Sequence, residues 1–300
     1  MRLRPAAALL AALLILPGIA RALTVDEIIA KNIDARGGEA RLKAIQSLRL
    51  TGKAVFSFGD NTLEAGWGQL QKRPGMIRTE ISLQGLTAVT AYDGREGWSL
   101  QPFQGRRDAQ RSSADDSRST AQDADLDGVL VDWKEKGHKV DFLGTEDVDG
   151  TPALKLRVAL KDGDTKYVFL DPDYFLEIRI ETLNLVRGVE NITETDLGSY
   201  EQVNGVWIPF SIDQGQKGAP RNSHITVERA EANVDAGDEL FRFPPAGTPI
   251  GRAVVASPSA RENAASSPPP APAGNRPPTF DSGVVSGLDA RNIGSAAMSG

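Results

Sequence analysis

From Ser47 to about Leu100 an apolar residue recurs at nearly every second position. Leu48, Leu50, Ala54, Phe56 and Phe58 alternate with polar residues up to Gly59-Asp60-Asn61, and Leu63 to Gln71 alternates around Trp67. A period of two gives a strand one apolar and one polar face. Arg73-Pro74-Gly75 turns the chain into Ile77–Leu83, and Thr87–Tyr92 runs into Asp93-Gly94. Alternation resumes at His138–Leu143. It continues through Ala153–Leu160, Thr165–Leu170, Tyr174–Leu185, Val189–Tyr200, Val206–Ile212 and Ser223–Ala230, with turn signals at Asp147–Gly150 and Lys161–Asp164. About 11 strands in meander order predict a mainly β chain built as one antiparallel sheet or barrel.

Other stretches carry a helical period. Thr24-Val25-Asp26-Glu27 forms a capping box, Ile28, Ile29 and Ile33 follow at helical spacing, and Gly37-Gly38 ends the run. A short second turn covers Glu39 to Ile45. Between the two blocks of strands, Gly105 to about Asp125 is polar and rich in Ala and Ser. Leu126, Val129, Leu130 and Trp133 then fall at helical spacing. This predicts a long loop followed by a short helix, an insertion of the kind that serves as a lid.

The two ends differ from this core. Arg2 and Arg4 precede an apolar run from Ala6 to Leu16, and Pro17-Gly18 and Ala20-Arg21-Ala22 follow. That is the layout of a cleavable export signal over 1–22, cut after Ala22, and the run is shorter than the ~20 residues a bilayer span needs. Residues 23–250 form the expected β-barrel domain. Residues 251–300 are expected to be a Pro/Ala/Ser-rich disordered tail or linker.

Composition narrows the function. The chain has no cysteine, so an exported form has neither disulfides nor a site for a lipid anchor and is expected free in the periplasm. With 34 basic and 40 acidic residues the net charge is −6, more negative still once Arg2, Arg4 and Arg21 leave with the signal. That disfavours binding to nucleic acid or to anionic membranes.

Catalytic signatures are missing. The sequence contains no H-E-x-x-H, G-x-S-x-G, P-loop or G-x-G-x-x-G, and its two histidines, His138 and His224, read as ordinary strand residues. No enzymatic activity and no cofactor is expected. Asp123-Ala124-Asp125-Leu126-Asp127-Gly128 imitates half of a calcium loop, but Lys134 stands where the bidentate Glu belongs. The carboxylates read instead as an Asp-rich helix start.

Gly66-Trp67-Gly68-Gln69-Leu70-Gln71-Lys72-Arg73-Pro74-Gly75-Met76-Ile77 resembles a segment of the LolA-type lipoprotein carriers. There a strand ends in Lys-Arg-Pro and a bulky apolar residue follows soon after. Tyr92-Asp93-Gly94 with Trp98 and Pro102-Phe103 resembles the same family's next motif, and Phe241-Arg242-Phe243-Pro244-Pro245-Ala246-Gly247 its closing one. Residues 35–42 and 127–140 look like the broader group of outer-membrane lipoprotein-sorting proteins. The resemblance spans about residues 24 to 250. It implies an open, incomplete antiparallel β-barrel of about 11 strands covered by short helices, holding acyl chains inside. It casts Arg73 as the residue that latches the lid and Ile77 as the residue tied to handing on cargo. Trp67 and Trp98, with the lid residues Leu126, Val129, Leu130 and Trp133, complete the expected ligand-binding set.

The implied partners are lipoprotein acyl chains or another lipid, together with inner- and outer-membrane transfer proteins, for a monomeric carrier. Two alternatives stand beside the carrier: a stress-sensing or regulatory lipid-binding module, and an accessory domain of a larger β-propeller protein. The latter rests on Ser286–Gly294 and Met298–Gly300, which resemble the opening of proteins with BNR-type propeller repeats.

Overall fold

A computed structural model describes residues 23–186, 189–245, 247, 250 and 253–254. The expected leader, and most of the expected tail with its propeller-like stretch, lie outside the described residues. The chain opens with α1 (Val25–Ala35) and α2 (Glu39–Ala44). The capping box at Thr24 is present: its hydroxyl accepts from the Glu27 backbone, and the Glu27 carboxylate accepts from the Thr24 backbone.

The strands are β1 (Ser47–Phe58), β2 (Asn61–Lys72), β3 (Met76–Leu83), β4 (Leu86–Tyr92), β5 (Gly97–Leu100), β6 (Gln110–Arg111), β7 (Lys139–Val148), β8 (Thr151–Ala159), β9 (Thr165–Leu170), β10 (Glu177–Val186), β11 (Val189–Val203), β12 (Val206–Gln216) and β13 (Ser223–Ala232). All belong to one 13-stranded sheet in the order β6-β5-β4-β3-β2-β1-β13-β12-β11-β10-β9-β8-β7. The expected strands are there, and the two additional ones are the short β5 and β6. Every neighbour is antiparallel. The chain walks out to one edge, β6, crosses to the other edge, β7, and walks back until β13 pairs with β1.

The two edges do not pair, yet the sheet curls. Ala88 of β4 and Ile180 of β10 lie far apart in strand order but share one buried cluster with Leu50, Trp67, Ile212 and Ile225. The product is an open barrel with a filled interior. Two glycines make close approaches possible. A Cβ on Gly52, at the β1–β13 bulge, would sit 2.0 Å from the Thr226 carbonyl oxygen. One on Gly37, at φ +122°, would sit 2.2 Å from that of Gly205, so α1 could not end against the β11–β12 turn.

Between β6 and β7 the structure reverses the sequence expectation. The helix, α3, occupies Ala114–Asp123, and Leu126–Trp133 forms turns. Ser113 caps α3 by accepting from the Asp116 backbone, and Asp115 and Asp116 fill its first turn, so local capping makes a helix of a polar stretch that looks like loop. A helix over 126–133 is excluded by Gly128 at φ +80° and Asp132 at φ +52°. The carboxylates of Asp123, Asp125 and Asp127 therefore lie at or just beyond a helix end and do not open one.

Candidate functional site

The segment from Ser112 to His138 joins the two unpaired edges of the sheet and so lies across the seam of the barrel. α3 packs over β3, β4 and β5. Beyond it the chain turns inward and its apolar residues plug the interior. Val129 and Leu130 pack with Ile28 and Ile29 of α1 and with Leu156, Val158, Val168 and Leu170 of β8 and β9, and Trp133 lies against their margin. Leu126 and Val131 join the main cluster. Val131 is fully buried, although its position in the sequence lies off the helical stripe. By position the segment is a cover over the open seam, hereafter the lid.

Polar groups fasten the lid. The Arg73 guanidinium donates to both oxygens of Asp127 at 2.5 Å, to the Ile45 carbonyl at 2.8 Å and to the Leu42 carbonyl at 3.1 Å. One side chain thus ties α2, the β2–β3 turn and the lid together. Arg36, buried at the end of α1, donates to the Asp127 carbonyl at 2.9 Å and stands 4.0 Å from the buried Glu177 of β10. Gln71 donates to the Asp123 carbonyl at 2.8 Å. Lys136 bonds to Asp125 and to the Gly128 carbonyl, Lys43 to Asp132 and Lys134 to Asp26. Burial opposes the charged form of Asp127, but the Arg73 hydrogen bonds and the charges of Arg73, Lys136 and Arg36 outweigh it, holding the carboxyl below its ordinary range.

Asp123 is the exception among the lid carboxylates. Burial pushes its pKa up to about 7, against the pull of Lys166, and its Oδ2 has no hydrogen-bond partner. Lys166 projects from β9 into the interior beside Val168 and is 1% exposed.

Strand register settles where the other expected residues lie. Leu50, Gln69 and Thr79 are register partners on the inner face, as are Leu48, Gln71, Ile77 and Tyr92. Trp67 and Ile77 are therefore interior residues, both buried, and the Trp67 indole nitrogen has no partner. Trp98 is not brought to this site. It pairs with Ala91 on the opposite face, where its indole donates to the Phe241 carbonyl at 2.7 Å under the C-terminal chain.

Each of Asp125 and Asp127 is taken by its own cation, and among the described residues no cluster of potential metal ligands occurs. His138 lies at the entry to β7, its pKa lowered by burial first and by Lys136 next. His224, on β13, is bonded to Asp213.

Two spaces matter. A cavity of about 30 Å³, enough for a water molecule or two, remains inside, lined by Leu42, Ile45, Leu48, Gln71, Leu126 and Ile208 among others. Outside, an open groove of about 1090 Å³ runs along the lid past Arg73, Ala121, Ala124, Leu126, His138 and Leu160. At this place the closed interior has no room beyond those waters.

No family model matches the sequence, and no curated protein matches it. Solved structures do match. A DUF1329 family protein from Desulfovibrio piger superimposes with a TM-score of 0.52 at 12% identity, over 73% of this chain and 97% of that one. A putative outer membrane lipoprotein-sorting protein domain from Vibrio parahaemolyticus gives 0.50 at 11%, over 71% and 94%. A LolA superfamily protein from Nitrosomonas europaea gives 0.50 at 14%, over 74% and 98%. Identities this low speak to architecture alone, and on that architecture the chain has a LolA-like fold.

Proposed function

We propose that this chain is a periplasmic binder and carrier of acyl chains, those of a lipoprotein or of a lipid-like ligand, which replace the lid's own side chains inside the open barrel. The observation that carries the reading is that Leu126, Val129, Leu130 and Val131, from a segment outside the sheet, fill the apolar part of an interior whose wall also carries Gln69, Gln71, Thr79 and Lys166. Burying an acyl chain gains ~0.8 kcal/mol per CH₂, roughly 10 kcal/mol for about 14 carbons. Displacing the lid returns part of this, because its apolar residues lose their burial. Exchange between lid and cargo makes both uptake and release feasible. A permanently open pocket would bind too tightly to let go.

In this reading Arg73 is the latch, through Asp127, and Ile77 is part of the wall beneath the lid. Residues 1–22 serve as the export signal, and residues beyond the β-domain serve as a tail or linker. The sorting and LolA descriptions of the structural neighbours support the same class of ligand. We assign the chain no catalytic role. Native mass spectrometry of the protein purified from a periplasmic extract tests the proposal. Co-purified acyl-bearing species, released on denaturation, are expected, and a homogeneous empty chain that also takes up none in vitro contradicts it.

A further inference from the structure

We propose that Lys166 receives the anionic end of the bound chain, so that the interior selects a long-chain carboxylate over a neutral lipid. This inference rests on the reading of the interior as an acyl-chain site.

The placement is specific. Lys166 is the register partner of Val158 on one side and Thr182 on the other, and its own strand continues on the same face as Val168 and Leu170. Those residues belong to the cluster that Val129 and Leu130 of the lid close. Lys166 is 1% exposed, and no hydrogen bond or ion pair of its ammonium with a described residue is found, while that nitrogen is not one of the fully enclosed polar atoms left without a partner. A buried cation is costly unless it is paired.

Two titratable groups that feel its charge lie on the lid and at its exit. Asp123, at the end of α3, feels the Lys166 charge, and so does His138 at the entry to β7. Asp123 is itself buried, with Oδ2 unpartnered. The lid thus brings a carboxyl near Lys166 without bonding it. When the lid lifts, that carboxyl leaves and the lysine stands alone at the end of an apolar row.

A ligand with a carboxylate on a long alkyl chain matches what remains. Its head replaces Asp123 at Lys166, near the groove lined by His138, Ala124 and Leu160. Its tail runs past Val168 and Leu170 towards Ile28 and Ile29, in the volume vacated by Val129 and Leu130. The chains of a fully acylated lipid anchor end in neutral esters and amides and have nothing to offer the lysine.

The test compares myristate with tetradecanol, which have the same chain length and different heads, by calorimetric titration of the delipidated full-length protein. Wild type is expected to bind myristate about 10- to 100-fold more tightly, the effect of one charge-assisted hydrogen bond in a buried site. Lys166→Met should bring the two affinities together, and Lys166→Arg should restore the preference. Equal affinities in wild type, or a preference that survives Lys166→Met, overturn the role of Lys166 while leaving the acyl-chain reading intact. Failure of both ligands to bind overturns the two together. If Lys166→Met does not fold, Lys166→Gln, which keeps a polar end without the charge, takes its place, and a preference that survives it overturns the role of Lys166.

Discussion

The outer face of β2 to β5 and the inner face of the barrel are both covered by chain from outside the sheet, but the two covers are fastened in different ways. On the outer face, Ala236, Phe241 and Val254 are buried against Leu70. The fully buried Glu80 accepts from the backbones of Ala253 and Val254 at 3.0 Å each and from Arg78 at 2.7 Å. Arg78, Trp98 and Lys72 donate to the carbonyls of Leu240, Phe241 and Ala236. On the inner face the lid is held by Arg73, Arg36 and Gln71 at its first turn and elsewhere by half-exposed pairs on its rim. Groups that are dry and bonded to backbone are expensive to separate. Ion pairs facing water are cheap to break. The first cover belongs to the fold. The second shares such dry, backbone-bonded contacts at its first turn, through Arg36 and Gln71, and only its remainder, held by half-exposed pairs, is suited to move.

The largest effect should come from attacking the outer cover. Phe241→Ala removes a fully buried ring and should cost about 3–5 kcal/mol of global stability in denaturant titration, with no selective change in the lid. A loss confined to the lid would reverse the assignment of the two covers.

Next comes a change of pH. The folded protein raises the Asp123 carboxyl to about 7, whereas the unfolded chain ionises it near the ordinary ~3.9. Between those values the unfolded state binds fewer protons, so the contribution of this carboxyl to stability is fully present below about pH 4 and is lost as pH rises through 7. The amplitude is on the order of 4 kcal/mol. Asp123→Asn should flatten this part of the pH–stability curve. An unchanged slope would mean that Asp123 is not buried beneath the lid in solution.

A smaller effect follows from Arg73→Met. The Arg73 side chain is 24% exposed and that of Asp127 8%. Losing the pair leaves a partly buried carboxylate and should cost about 2 kcal/mol. The cost should appear chiefly as faster amide exchange over residues 124–133. Lys134→Ala, which removes an exposed pair with Asp26, should change neither melting temperature nor exchange measurably. If it matched Arg73→Met, the latch would be spread evenly along the rim.

Much of the fold is legible in the sequence, because one buried face imposes a period of two on each long strand and Asp-Gly turns separate them. β5 and β6 escape notice because runs of four and two residues carry too little pattern. The lid's apolar residues are legible as a set, but their helical spacing misleads, since left-handed residues at 128 and 132 break the helix they suggest. Arg73 is found only through a resemblance, and nothing local marks Asp127 as its partner. Arg36 hides in the Gly37-Gly38 helix stop, and only the fold joins it to residue 127. Lys166 was readable in principle. In Thr165-Lys166-Tyr167-Val168-Phe169-Leu170 it alternates onto the face of Val168 and Leu170. The same parity argument places Trp98 on the outer face.

In the proposed exchange an acyl chain takes the place of the lid while the outer cover stays shut. Hydrogen–deuterium exchange on the delipidated protein, with and without saturating myristate, measures this directly. Residues 124–133 should lose protection on binding while residues 234–245 keep theirs. Binding that leaves 124–133 as protected as before, or that exposes 234–245 instead, would contradict it.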